Sequence, residues 1–188
     1  MDNFREEVAF RRKQGTYTAL YYLSWAMIGF CGIVALISFF NVYSSLTLLF
    51  SGQGSFNFIS LIFLVLFGGS AFLLWRSKDE LRVEYEYTFT NGELDVSKVL
   101  NNVRRKYLTN MPVKIVESCG PVNTPAFQRL LSMKDVKKHN WFANRDAKLY
   151  YFYFTKNSVK HMIIVELSDE MIELVRKPNY MNYGIWQE

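Results

Sequence analysis

Ionisable side chains are missing from a third of this 188-residue chain: between Lys13 and Arg76 there is no Asp, Glu, Lys, Arg or His. Soluble chains are about one quarter charged, so a run of this length excludes a water-solvated segment. Cysteine is almost absent. Cys31 falls in the uncharged run and Cys119 in the charged part, which excludes a disulfide framework and reads as two reduced thiols, fitting a cytosolic domain. The two histidines, His139 and His161, lack the short spacing of zinc ligand pairs, so no metal site is expected. Phosphate-cradling glycine loops are also missing. Asn91-Gly92 is a hairpin turn and Gly68-Gly69 sits in the apolar run, so no cofactor is expected. The net charge is only +5, and from Val83 onward 15 basic residues face 12 acidic ones, too even a balance for nucleic acid.

What fills the uncharged run is apolar. Thr18–Phe40 would make a helix about 34 Å long and Phe56–Trp75 one of about 30 Å, each enough to cross a bilayer core of about 30 Å. Residues 41–55 hold Ser51-Gly52-Gln53-Gly54 and no charge, a short re-entry loop. Arg5, Arg11, Arg12 and Lys13 precede the first span; Arg76, Lys78 and Arg82 follow the second. The positive-inside rule then predicts a two-span protein of the cell membrane with both termini cytoplasmic, residues 1–17 being a cytoplasmic stub. A cleaved signal peptide is disfavoured by the length of the first run and by the second that follows it. No ionisable group lies within the spans, so an ion pathway is not expected; Gly29, Gly32 and Ala35 with Gly68, Gly69, Ser70 and Ala71 suit close packing.

From Val83 the pattern becomes β-like. Val83, Tyr85, Tyr87 and Phe89 alternate with polar residues, Asn91-Gly92 turns the chain, and Leu94 and Val96 resume the alternation. Further strands are expected at Arg104–Leu108, Val113–Glu117, Leu149–Phe154 and His161–Leu167, the last two joined by a turn at Lys156-Asn157-Ser158. Residues 121–147 are ambiguous: Thr124-Pro125 starts a short helix through Phe127, Leu130 and Leu131, or Leu130–Met133 is another strand. Ser168 caps a final amphipathic helix with Asp169 and Glu170 in its first turn and Pro178 beyond its end.

The two-helix hairpin, then YEYTFTNGELDV, the basic Arg104-Arg105-Lys106, Lys114-Ile115-Val116-Glu117, NWFANRD and LYYFYF give the chain a resemblance over nearly its full length. It resembles an uncharacterised bacterial family of short two-span membrane proteins with a pleckstrin-homology-like (PH-like) cytoplasmic domain. The fold class this implies is an α+β membrane protein. An N-terminal transmembrane hairpin precedes an antiparallel β-barrel or sheet domain, residues 83–188, closed by the C-terminal helix. The resemblance implies no activity.

Candidate functional residues are therefore surface residues. Lys134, Lys137, Lys138, Trp141 and Arg145, with His139 among them, form one basic and aromatic group; Arg104, Arg105 and Lys106 form another. Such groups suit anionic headgroups, each Lys or Arg near a bilayer contributing about 1 kcal/mol, while solvated loops and a core-packed Trp141 are the plain alternative. The function expected is a non-catalytic, membrane-tethered module presenting a protein- or anionic-lipid-binding surface. Two other readings stand beside it. One is a subunit of a larger membrane assembly that packs against another membrane protein. The other is a membrane-anchored enzyme using Cys119, with His139 or His161 as base, or the Arg145-Asp146 region.

Overall fold

The computed structural model describes residues 3–12 and 14–188, and the chain divides into two units. Residues 14–82 form one. Residues 3–12 and 83–188 form the other.

The first unit is a helical hairpin of α1, Gln14–Phe50, and α2, Phe58–Ser77, followed by a 3₁₀ turn at Lys78–Leu81. Both helices are long and apolar enough to cross a membrane. α1 outruns the expected span, carrying Asn41–Phe50 that the sequence assigned to the loop, which shrinks to residues 51–57. The reason is local. Asn41, Ser45, Thr47 and Ser51 return their side-chain donors to carbonyls three or four residues earlier, so polar side chains there do not end the helix. It ends at Gly52, in a positive-φ conformation. The seam is a 3-4 repeat: Ser24, Ile28, Cys31, Ala35, Ser38 and Val42 on α1 meet Ser60, Leu64, Phe67, Ala71 and Leu74 on α2. Ala35 and Gly68 are used at that seam; Gly29, Gly32 and Gly69 have open space around them. At the charged end of the hairpin Lys78 pairs with Asp79 and lies over the Trp25 ring, and Arg82 lies over Tyr21.

The second unit is a sandwich of two four-stranded sheets, not a closed barrel. Sheet A has the order β1 (Phe4–Phe10), β2 (Val83–Thr90), β3 (Glu93–Leu100), β4 (Arg104–Pro112). Sheet B has the order β5 (Val116–Pro121), β7 (Leu149–Lys156), β8 (Val159–Glu166), β6 (Val136–Trp141). Pairing is antiparallel except between β6 and β8, which run parallel. Tyr87, Phe89 and Leu94 from sheet A meet Phe152, Ile163 and Val165 from sheet B in the main core. The closing helix α4, Asp169–Val175, adds Met171, Ile172 and Val175, and the Ser168 hydroxyl accepts from Met171 N at 3.1 Å as its cap. Helix α3, Pro125–Ser132, covers the other face of sheet B through Phe127 and Leu130, packed with Tyr151 and Met162. The helix alternative for this region is the one adopted, with Thr124 as its cap and Pro125 in its first turn.

Three expectations need correction. The N-terminal stub is not outside the domain: Phe4–Phe10 pairs with β2 along its whole length, from Phe4↔Thr90 to Phe10↔Glu84. Its pattern is inverted, with Phe4, Val8 and Phe10 exposed and Arg5 and Glu7 half-buried, so alternation alone does not mark it as a core strand. Met1, Asp2 and Lys13, which belonged to that segment, lie outside the described residues. Second, Val113–Ile115 is a 3₁₀ turn, and the strand expected there starts at Val116. The chain must cross from sheet A to sheet B at this point, and Val113 N instead bonds to Gly92 O. Third, residues 121–147 hold a strand as well as the helix, at Val136–Trp141 and not at Leu130–Met133 where the strand alternative was placed.

The Asn91-Gly92 turn has the positive φ angles of both central residues that a tight hairpin needs. A Cβ on Gly92 would stand 2.7 Å from the Tyr180 ring, so the glycine is required for space as well as for conformation.

Candidate interaction surfaces

The basic residues singled out in the sequence occupy two edge strands of different sheets. Arg104, Arg105 and Lys106 open β4, the outer strand of sheet A. Lys137 and Lys138 lie on β6, the outer strand of sheet B, with Lys134 just before it and Arg145 after it. The fold does not bring the groups together. β6 lies on the β1–β2 side of the sandwich, where the Tyr87 hydroxyl donates to Trp141 O at 2.6 Å and the Asn144 side chain donates to Phe10 O at 2.9 Å. β4 lies on the β7 side, where Lys156 Nζ donates to Asn110 O at 3.0 Å.

Register also settles which way the side chains point. On β4, Lys106 is the Cα partner of Lys98, so two lysines share one face of sheet A. Neither has a carboxylate partner among the described residues, and facing like charges are unfavourable. Arg105 is turned to the opposite face and bridges to Glu86 at 2.5 Å. On β6, Lys137 and Lys138 point to opposite faces of the strand, as successive residues must. Both are exposed, and they and Lys134 have no bonded partner among the described residues. Trp141 is half-buried and packs against the main core.

One end of sheet A has a special place in the chain. Phe10↔Glu84 and Val83↔Leu100↔Arg104 are the last rungs of the sheet there, and residues 12 and 83 are where the chain leaves for the helical hairpin and returns from it. Lys98, Arg104, Arg105, Lys106 and the exposed Val103 therefore lie at the attachment end. Arg145 does too, since its neighbour Asn144 accepts from Arg12 N at 2.9 Å and Asp146 pairs with Arg12 at 3.5 Å. Lys134, Lys137 and Lys138 sit at the other end of β6.

The residues considered for catalysis have other occupations. Cys119 is fully buried, with its Sγ toward Met181 Sδ at 3.9 Å and Ile185 O at 3.8 Å. Burial pushes its thiol up to about 12, against a small opposing effect of Arg176, so the thiolate needed for attack is not formed near neutral pH. Its backbone is used as well: Cys119 N and O bond to Ile185 O and Gln187 N, seating the C-terminal tail along the β5 edge. The two histidines are bonded to each other and not to the thiol. Beside β1 an open groove of about 620 Å³ holds several carboxylates, each engaged: Glu7 with Ser168, Glu166 with Asn144, Asp169 with Lys148. Among the described residues no three His, Cys, Asp or Glu side chains form a metal-binding group.

Sequence reasoning missed one arrangement outright. His139 and His161 were set aside because 22 positions separate them, yet the parallel β6–β8 pairing brings their nitrogens to 3.3 Å. No local signal marks this, because it needs the partner strand and its direction.

Among protein families, the Bacterial PH-like domain (DUF6106) matches residues 1–183. No curated protein and no solved structure matches the chain.

Proposed function

We propose that this chain, which belongs to the bacterial PH-like domain family, is a membrane-anchored, non-catalytic module whose attachment end faces anionic lipid headgroups. The observation that carries the proposal is where the hairpin is inserted. It lies between β1 and β2, two strands that pair over seven positions. That ladder can close only if both ends of the hairpin emerge on one side of the bilayer, the side that holds the domain. The basic residues flanking the helices make that side the cytoplasm. The membrane-crossing reading itself rests on the length and apolarity of α1 and α2 and on the absence of charge between Gln14 and Trp75.

At the attachment end, Lys98 and Lys106 face one another with no carboxylate between them, and Arg145 follows Asn144, whose side chain accepts from Arg12 N. An anionic phosphate between the two lysines would relieve their repulsion. Anionic lipid contributes about 1 kcal/mol for each such residue within a Debye length of the surface. The tether supplies the rest, because a domain held at the bilayer meets its headgroups at high effective concentration. A second reading, a subunit of a larger assembly, draws on Gly29, Gly32 and Gly69, whose open surroundings are faces another helix could approach closely.

The test uses the full chain in nanodiscs of neutral or anionic lipid, read by hydrogen exchange at residues 101–106. Anionic lipid is expected to slow exchange there, and the triple variant K98Q/R105Q/K106Q to remove the difference. Equal exchange in both lipids for the unaltered chain would refute the headgroup role.

A further inference from the structure

The two histidines form a bond of a particular kind. His139 Nε2 and His161 Nδ1 are 3.3 Å apart, with ring centres at 5.5 Å and planes inclined by 16°. The centre-to-centre distance is close to its maximum, the nitrogen gap plus the reach of each ring from its centre to its nitrogen. The nitrogens therefore point at each other, edge to edge, as an N–H···N hydrogen bond requires. In the neutral pair one ring donates and the other accepts. One added proton leaves this bond intact, because an imidazolium still donates to a neutral neighbour. A second would set N–H against N–H. The dyad accepts one proton and resists the next.

Its surroundings are basic on every strand of sheet B that borders it. Lys137 is the Cα partner of His161 and stands two residues before His139 on the same face. Lys156 ends β7, beside the Phe154 ring that lies 5.6 Å from His161. Lys160, the neighbour of His161 along β8, is turned to Asp135 at 2.6 Å. From sheet A, Tyr87 reaches β6 with a neutral hydroxyl, its pKa raised by burial. Burial and then Lys137, with His161 for one ring and Lys156 for the other, hold both imidazoles below their ordinary value. Five lysines, Lys134, Lys137, Lys138, Lys156 and Lys160, thus gather at this end of sheet B, against Asp135 and the more distant Glu117.

We propose that this end of β6 docks an acidic protein segment, and that the proton on the His139–His161 dyad sets its affinity. The charge names the partner's chemistry. Position along the strand favours a protein over lipid: Lys137 is four residues from Trp141, about 13 Å at the usual strand rise. Trp141 leads directly to Asn144 and the attachment end, so headgroups gathered there are separated from Lys137 by more than the Debye length of about 10 Å. An acidic segment over Lys137 offsets the repulsion that keeps protons off the dyad, and linkage requires the converse, so a protonated dyad binds the segment more tightly. Lysines on an edge strand also deter edge-to-edge pairing. That role needs no histidine and gives no dependence on the dyad.

The experiment uses the full chain in nanodiscs of neutral lipid and a fluorescent aspartate-rich peptide, with anisotropy read at about pH 7.5 and about pH 5.5. Binding is expected to tighten roughly fivefold at the lower pH. H139Q/H161Q should bind with one affinity at both values, and K134Q/K137Q/K138Q should lose binding at both. The unaltered chain supplies a second readout: ¹⁵N-histidine spectra should show one proton taken up by the pair, at a higher pH once peptide is added. An affinity indifferent to pH, an unmoved titration, or undiminished binding by the lysine variant would each overturn the proposal. If anionic nanodiscs without peptide shift the titration equally, the partner class is wrong. None of these outcomes depends on the exchange result at residues 101–106.

Discussion

The hairpin and the sandwich both contain large apolar residues, and they use them in opposite ways. In the hairpin Phe39, Phe40, Phe63 and Phe72 point outward, and the seam mixes Ser24, Cys31, Ala35, Ser38, Ser60, Gly68 and Ala71 with Ile28, Val42, Leu64, Phe67 and Leu74. In the sandwich Phe89, Phe152 and Phe154 point inward and the exposed faces carry charge. A large side chain is buried where water is the surrounding solvent. Where the surroundings are themselves apolar it gains little by turning in, and small residues win the interface because they let backbones approach. The absence of charge already separates the units in the sequence; the position of the large residues separates them again in the structure.

The sharpest way to break that comparison is to remove the same group from each side. Phe152→Ala empties a fully buried site in the main core and is expected to cost about 3–5 kcal/mol. Phe39→Ala removes a ring that is half exposed on α1, beside that of Phe40 in the same helix. Thermal unfolding of the full chain in micelles, followed in the near-ultraviolet for the domain, should show a large downward shift for the first and almost none for the second. Equal shifts would mean that Phe39 is buried against another chain.

The same contrast explains what the sequence made legible. The hairpin could be read because the absence of charge is a global signal that needs no register, β2, β3 and α4 because their periodicity matches their burial, and β7 and β8 because their unbroken apolar runs do. β1 was lost because its exposed face is the apolar one, so Arg5 and Glu7 look like a membrane flank and not like half-buried members of a sheet. β6, Val-Lys-Lys-His-Asn-Trp, has no alternation, since an edge strand with lysines on both faces carries none. The basic residues themselves were visible. That they lie on opposite edges of the sandwich, and that Lys98 faces Lys106, follows only from pairing. The histidine dyad is the extreme case, as it depends on a parallel pairing between strands separated by the whole of β7 in sequence.

A smaller effect sharpens the comparison inside the hairpin. The Gly68 Cβ position is 4.0 Å from Ala35 Cβ, whereas nothing lies within 4 Å of the Gly69 position one residue later. Gly68→Leu forces the seam apart and is expected to cost about 1–3 kcal/mol. Gly69→Leu enters open space and should leave the hairpin's stability unchanged. Helix–helix proximity, read by energy transfer between labels at position 22 on α1 and position 76 on α2, separates the two variants. A loss of proximity in Gly69→Leu alone would reverse the assignment of the seam.

The smallest expected effect is a dependence on pH confined to the sandwich, since the hairpin has no titratable group between Gln14 and Trp75 other than Tyr and Cys. His139 and His161 both have folded-state values below the ordinary one of about 6.5, from burial first and then from Lys137 and their other neighbours. Above that pH both states are neutral and stability does not change on their account. As the pH falls through it the unfolded chain takes up protons before the folded one, so stability declines until the folded dyad itself titrates. Urea unfolding of the domain in micelles should therefore give a lower midpoint at about pH 5.5 than at about pH 7.5. H139Q/H161Q should flatten that difference, although both variants lose the bond between β6 and β8. A midpoint that rises on acidification would mean that the folded state favours the charged pair. In that event a carboxylate faces the dyad, and Lys137 and Lys156 do not govern it.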